Sequence, residues 1–419
     1  MSDQGPSDSI AVIGAGVIGC AVAWYLAREG RSVILIDPDD PGRAGASFGN
    51  AGHIAAELIE PVPSPGLLFG FWKQLASFDG PLSFESGFFP GSASWLGRFA
   101  AAAFRRSANT QILAPLVKTS TASFDRALRE IGQIDLLKPN GHYAFWTEPG
   151  ASKRAQAEAH HMAALGIRTK PVDEAFLQTI AATTGSQHTT GLWFPDSAHV
   201  LDPMEICVSF ARAAIQRGTT FRKARVRAMT PREREIELQT DGESIKANAV
   251  VVCAGIWSDS LLQTVGLRAP LKAARGYHVE MPGHTPLTDA PIVYMDQTTV
   301  VTPMAGRLRA TNFVEFNSPE APPDPRKPMR LRRKLQRVGY NVEADGPSWM
   351  GSRPVLPDYL PGIGRAPGPH QIFYAVGHQH IGLTLAPITG EIMADLVAGR
   401  TARHDLAPFD LRRFGGGGR

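Results

Sequence analysis

The sequence predicts an α/β fold in which a doubly wound sheet is combined with a second, α+β unit carrying a mixed or antiparallel sheet. Three observations predict it. The chain opens on an apolar run, a glycine-rich turn and a small-residue helix, followed by a second apolar run. Another apolar run, 249–254, ends in Ala-Gly and reads as a strand returning to the same sheet much later. Residues 269–281 and 291–316 alternate as sheet strands do, and the length of 419 residues suits two domains better than one core.

Ser9 to Ile13 reads as a buried strand, and Cys20 to Glu29 as a helix stopped by Gly30. Arg31 to Ile36 is the second strand, ending at Asp37. Gly42 to Gly52 holds too many small residues for a helix and is expected to be a loop. Ten of the 34 aromatics fall between Phe69 and Phe104, in a segment broken by Pro and Gly. Helices are expected near 110–131 and 151–165.

Asp202-Pro203 is a strong helix start, with Asp as N-cap and Pro at the first position, and the helix should stop at Gly218. Strands are expected at 221–228, 235–239, 244–246 and 249–254, with Asp241-Gly242 turning a hairpin. Five prolines make 319–328 a loop, before a short helix from Arg330 to Gly339. The chain closes with a strand at 371–376, a glycine loop and a helix from Ile388 to Gly399.

Composition excludes several function classes. A net charge of +4, from 43 basic and 39 acidic residues, is too weak a bias to argue for nucleic acid, which wants basic residues clustered on one face. The three cysteines, Cys20, Cys207 and Cys253, have apolar neighbours and no Cys-x-x-Cys spacing. They read as buried thiols in a reducing compartment. No metal site is expected, because none of His53, His278, His378 and His380 has ligand spacing such as His-Glu-x-x-His. The opening residues carry no charged-then-apolar signal pattern, and no apolar stretch reaches membrane-spanning length.

Gly14-Ala15-Gly16-Val17-Ile18-Gly19 stands between strand and helix, with Asp37 placed 18 residues after the last glycine. Gly14 permits the tight turn, Gly16 lets the backbone approach a pyrophosphate, and Gly19 lets helix and strand pack closely. The helix N-terminus offers amides to phosphate, and Asp37 can accept from ribose hydroxyls. The motif alone does not choose between NAD and FAD. Its place at the start of the chain, and the late strand ending at Ala254-Gly255, favour a discontinuous FAD domain.

With these segments in view, the chain resembles the D-amino-acid oxidase-like flavoproteins, in their D-amino-acid dehydrogenase branch. Five motifs carry the resemblance: Gly14–Gly19, Ser47–His53, Ala249–Gly255, Arg275–His278, and the pair Gly351–Pro354 with Gly377–Thr384. It implies a Rossmann-like FAD-binding domain of the glutathione-reductase type, expected over 1–60, 200–265 and 350–419. The substrate-binding domain is then expected over 61–199 and 266–349. It also implies non-covalent FAD, held by Gly14, Gly16, Val17, Ile18, Gly19, Asp37, Ser47, Asn50, Ala51, Gly52, His53, Val226, Ala254 and Gly255. Gly382, Leu383 and Thr384 would present amides to the flavin edge.

The resemblance further implies that Arg353 anchors a substrate carboxylate, for which a fork of guanidinium donors is suited. The alternative is a structural arginine. Tyr277 is expected either to cap the substrate side of the ring or to be a plain strand aromatic, and His380 either to meet flavin or substrate or to be a satisfied structural histidine. Glu57, Glu60, Asp296 and Glu315 are expected to be solvated or structural. The implied reaction moves hydride from Cα of a small amino acid to the flavin, leaving an imine. Segments 275–278, 350–358 and 377–387 resemble D-hydroxyproline dehydrogenases, which implies cis-4-hydroxy-D-proline as substrate and 1-pyrroline-4-hydroxy-2-carboxylate as product.

A dehydrogenase of this branch passes electrons to a quinone or respiratory chain, which implies a cytoplasmic protein with scope for peripheral contact at the inner face of the membrane. Two segments could make that contact: the aromatic stretch 69–104, and Arg326–Arg337, with seven basic residues in twelve. Each also reads as ordinary packing. The oligomeric state stays open. Three other readings compete: a glycine- or sarcosine-type amine oxidase releasing hydrogen peroxide, a flavin subunit of a larger electron-transfer assembly, and a colourless NAD enzyme.

Overall fold

A computed structural model describes residues 9–68, 82–342 and 346–415. Ser9–Ile13 lies at the centre of a six-stranded sheet. On one side of it come Ser32–Asp37 and then Thr220–Lys223; on the other come Ala249–Val252, Gln371–Val376 and Gly362–Arg365. All pairings are parallel except the last, which is an antiparallel edge. Ile10 pairs with both Val33 and Ala249, so the late strand sits directly beside the first. The central strands are near-continuous apolar runs because helices cover their faces.

The Val17–Arg28 helix is buried almost all round. It packs between the Pro203–Gln216 and Gly382–Val397 helices. Gly390 makes the second contact close: a side chain there would overlap the Tyr25 ring. Asp202 caps its helix as expected, its carboxylate accepting from the amides of Met204 and Glu205.

The second large sheet has nine strands and is mixed but mainly antiparallel, with Ser348–Val355, Lys272–Pro282 and Arg307–Asn317 at one end. His142–Trp146 joins it in parallel with Ile292–Tyr294. Val226–Pro231, Ile236–Thr240 and Ile245–Ala247 form a small antiparallel sheet, and the last two pair across the Asp241-Gly242 turn. A second small sheet orders His53–Ile54, Ala198–Val200 and Leu137–Lys138.

Several local expectations are corrected. Residues 221–228 are not one strand. Ala224 N–H donates to Asp37 O and Arg225 N–H to Asp241 Oδ1, so the chain leaves the parallel sheet and enters the small one. The 42–52 loop contains a helical turn, Gly45–Phe48. The helices Ala93–Ala103 and Glu174–Thr184 were not foreseen. The last helix begins at Gly382, six residues before the expected start.

The Arg326–Arg337 helix does not offer its leucines outward. Leu331, Leu335 and Val338 are in the core, and Lys334 Nζ donates to Gln297 O at 3.0 Å. Of the aromatic stretch, 69–81 lies outside the described residues. Phe84 stacks on Phe316 and Trp95 on Phe99, forming a buried ring cluster with Phe88. Among the described residues no helix is long and apolar enough to cross a membrane.

Candidate active site

A cavity of about 570 Å³ opens where the parallel strands end. Its wall includes Gly14–Ile18, Asp37, Ser47, Asn50, Val226 and Ala254-Gly255, joined by Ser352–Pro354 from the second sheet. The C-terminal ends of a doubly wound sheet are where such folds leave a crevice. The wall is backbone for a physical reason. Gly14 adopts φ +108°, and a side chain there would run into the Cys253 carbonyl. A Cβ on Gly16 would press on Ser47 Oγ. One on Gly19 would strike Gly14 O, so this glycine serves helix–turn packing below the cavity.

The polar groups suit a dinucleotide. Asp37 lies in the wall, its carboxylate accepting from the amides of Ala15 at 2.7 Å and Asp39 at 2.9 Å. Burial pushes its carboxyl above the ordinary value, against those hydrogen bonds. Val17 N–H, at the start of the first helix, donates to Ser47 Oγ at 3.0 Å. Gly382 and Leu383 also line the cavity, in the first turn of the Gly382–Val397 helix, so the positive end of its dipole faces the space. Backbone amides at two helix starts, with a carboxylate at the end of the second strand, fit FAD.

Arg353 is the one guanidinium that the second sheet contributes to this wall. Its Nη1 donates to Phe313 O at 3.2 Å. No carboxylate of the described residues pairs with it. Burial lowers its pKa, while the nearby Tyr359 acts the other way. Tyr359 sits at φ +59°, in a conformation uncommon for a bulky residue, and its ring lies 6.3 Å from that of His380. The His380 imidazole is pushed down to about 4, first by burial and then by Arg353.

The motifs 275–278 and 351–354 turn out to be neighbouring strands, with Gly276 opposite Gly351 and Ala274 opposite Arg353. The Arg353 guanidinium crosses Gly276, where any side chain would overlap it. Glycine at 276 and the turn residue Tyr359 are site features that sequence reading missed. The only signals were a glycine inside a strand and prolines flanking 358–360.

Other expected site residues lie elsewhere. Tyr277 is buried and lies outside the cavity wall, the placement of a plain strand aromatic. Its hydroxyl donates to Glu315 Oε2 at 3.1 Å and accepts from Arg275 and from Asp324 N–H. Arg275 and Glu315 form a fully buried ion pair at 2.9 Å, so Glu315 is structural and not solvated. Ala51, Gly52, His53 and Thr384 are likewise outside the wall; Thr384 Oγ1 accepts from Ala55 N–H at 3.2 Å and ties the last helix to the 53–55 segment. His378 does line the cavity, but its Nε2 is shared with Thr389 Oγ1 at 3.1 Å. His278 bonds Gly49 O at 3.0 Å and stacks on Trp349. Glu57, also expected to be solvated or structural, is buried beside His53 and His142, a grouping that residue spacing did not disclose. All three cysteines are buried free thiols, Cys207 being pushed up to about 12 by burial.

The chain is similar to known proteins in sequence and in fold. Residues 9–396 match the family model described as FAD dependent oxidoreductase. The chain is 29% identical to a D-amino-acid oxidase of Bradyrhizobium diazoefficiens, covering 97% of this chain and 98% of that one. It is equally 29% identical to a D-amino acid dehydrogenase of Paramagnetospirillum magneticum, with 97% and 98% covered. Among solved structures, glycine oxidase from Geobacillus kaustophilus superposes with a TM-score of 0.75 at 21% identity, covering 97% and 99% of the two chains.

Proposed function

The chain belongs to the FAD dependent oxidoreductase family, and from that premise we propose that it is a D-amino-acid dehydrogenase whose substrate carboxylate is held by Arg353. The observation that carries this reading is a half-buried guanidinium in the cavity wall with no carboxylate partner among the described residues. A partly desolvated cation facing a cavity is a natural place for an anion. A bidentate carboxylate matches its donor fork. The family is that of FAD enzymes, and the relatives named for D-amino acids support the stereochemical class.

Bound in the cavity, FAD supplies the two-electron acceptor. The chain supplies position. Arg353 would fix the carboxylate, and its bond to Phe313 O holds the guanidinium against the sheet, which limits the orientations open to Cα. The substrate loses Cα–H as hydride while the nitrogen lone pair forms C=N, and the N–H proton leaves to solvent. No protein base is needed when the amine binds neutral. Tyr359 and His380 border the Arg353 side chain, and a neutral His380 adds no second positive charge there.

Within this class, we propose cis-4-hydroxy-D-proline as the substrate and 1-pyrroline-4-hydroxy-2-carboxylate as the product, supported by the segments 275–278, 350–358 and 377–387. The electron acceptor is proposed to be a quinone or respiratory-chain component. The test is anaerobic addition of D- and L-amino acids, including both hydroxyproline epimers, to the yellow holoenzyme. Bleaching by D-amino acids alone, fastest with cis-4-hydroxy-D-proline, is the expected result. Bleaching by L-amino acids or by none would overturn it. Stoichiometric hydrogen peroxide in air would instead favour an oxidase, the activity named for the Bradyrhizobium relative.

A further inference from the structure

His53, Glu57 and His142 reach one point from two distant parts of the chain. His53 opens the His53–Ile54 strand, Glu57 follows four residues later, and His142 opens a strand of the nine-stranded sheet. None of the three lines the cavity described above. One candidate ligand atom from each lies within 4.8 Å of the others. Glu57 Oε1 is 3.7 Å from His53 Nε2 and 3.8 Å from His142 Nδ1. Both separations are too long for hydrogen bonds.

The two ring nitrogens, His53 Nε2 and His142 Nδ1, are buried and have no hydrogen-bond partner. A buried polar atom without a partner is destabilising, so two converging on one carboxylate oxygen need an explanation. The geometry is held from outside. Ser197 Oγ donates to the other carboxylate oxygen, Oε2, at 2.5 Å. The His142 ring stacks on Phe194 at 4.4 Å and meets His53 edge-on at 4.6 Å.

We propose that His53 Nε2, His142 Nδ1 and Glu57 Oε1 form a binding site for a divalent metal ion of the zinc class, with a fourth position left for water. Two imidazoles and one carboxylate are a zinc-type donor set, whereas calcium and magnesium take oxygen ligands. Metal–ligand bonds of about 2.0–2.2 Å at tetrahedral angles place donor atoms roughly 3.4 Å apart, a few tenths of an ångström inside the two Glu57–histidine separations. The ion would cross-link the segment leaving the cavity wall at Asn50 to the nine-stranded sheet. Ala55, within that segment, already bonds Thr384 in the helix whose first turn lines the cavity. The ion's role is therefore structural, steadying one side of the cavity wall without taking electrons.

The test is metal analysis of the purified, FAD-loaded protein by inductively coupled plasma mass spectrometry. It is followed by chelator dialysis and titration with Zn²⁺ alone. The expected result is one ion per FAD, a lower melting temperature after chelation, and recovery with Zn²⁺. Glu57→Gln and His142→Gln should stay yellow and lose the ion. A wild-type protein that neither carries nor takes up Zn²⁺ overturns the proposal, as do variants that bind Zn²⁺ like wild type. Should the variants fail to fold, X-ray absorption at the zinc edge of the wild type decides. A shell of nitrogen and oxygen donors with an imidazole signature supports the site, and sulfur ligation overturns it.

Discussion

Gly276 and Arg353 share one volume on adjacent antiparallel strands: the guanidinium lies where any side chain at 276 would have to be. The glycine is what lets the arginine lie flat on the sheet and present its donors to the cavity. Its partner across the strands is Gly351, itself covered by Trp349, so the sheet face here is shaped by absent side chains.

Gly276→Ala should displace the guanidinium while leaving the flavin spectrum intact. Losing a charge-assisted carboxylate bond is worth about 1.5–3 kcal/mol, or roughly 10- to 150-fold in kcat/KM. Arg353→Lys should fall in the same range, because one ammonium cannot reproduce the fork. Steady-state kinetics with D-amino acids check both. Unchanged kcat/KM in Arg353→Lys would remove the carboxylate-anchor role.

Asp37→Ala should weaken FAD binding without unfolding the protein. It removes the acceptor for Ala15 N–H and the carboxylate in the cavity wall. A loss of about 1–3 kcal/mol corresponds to roughly 5- to 150-fold in the dissociation constant, read by fluorescence titration of the apoprotein. Gly14→Ala should be more severe, since both its φ of +108° and the Cys253 carbonyl oppose a side chain.

Tyr277→Phe separates a core role from a site role. Its hydroxyl bonds Arg275, Glu315 and the Asp324 amide and lies outside the cavity wall. The variant should lose about 1–3 kcal/mol of stability because buried partners are left unsatisfied, with kcat and KM little changed. Thermal denaturation and turnover, measured on one preparation, check it. A large fall in kcat at unchanged stability would restore the capping role expected from sequence.

The His378 imidazole is held neutral by burial, its pKa pushed down to about 3. The folded state therefore binds fewer protons than the unfolded state, whose histidine titrates near 6.5. This contribution is complete above about pH 6.5 and is lost progressively as pH falls towards 3. At pH 5 the loss is about 2 kcal/mol from this residue. His378→Gln should flatten the fall in stability between pH 7 and 5, measured by urea unfolding with FAD in excess. An identical slope in the variant would contradict the neutral, buried histidine.

The sequence by itself determined what depends on local geometry. A Gly-x-Gly-x-x-Gly turn between strand and helix dictates close backbone approaches, so Gly14, Gly16 and Asp37 could be read in place, and Asp202-Pro203 announced its helix. Residues 42–52, 221–228 and 382–387 were misread locally because tertiary hydrogen bonds and packing override weak propensities. Only the tertiary structure decided which distant groups meet. The pairing of 272–279 with 348–355 set Arg353 over Gly276, and a buried ion pair drew the Tyr277 hydroxyl into the core. The same packing gathered His53, Glu57 and His142. Strand register and side-chain direction are long-range outcomes of packing, and a one-residue slip reverses them, so spacing along the chain carries no record of these encounters.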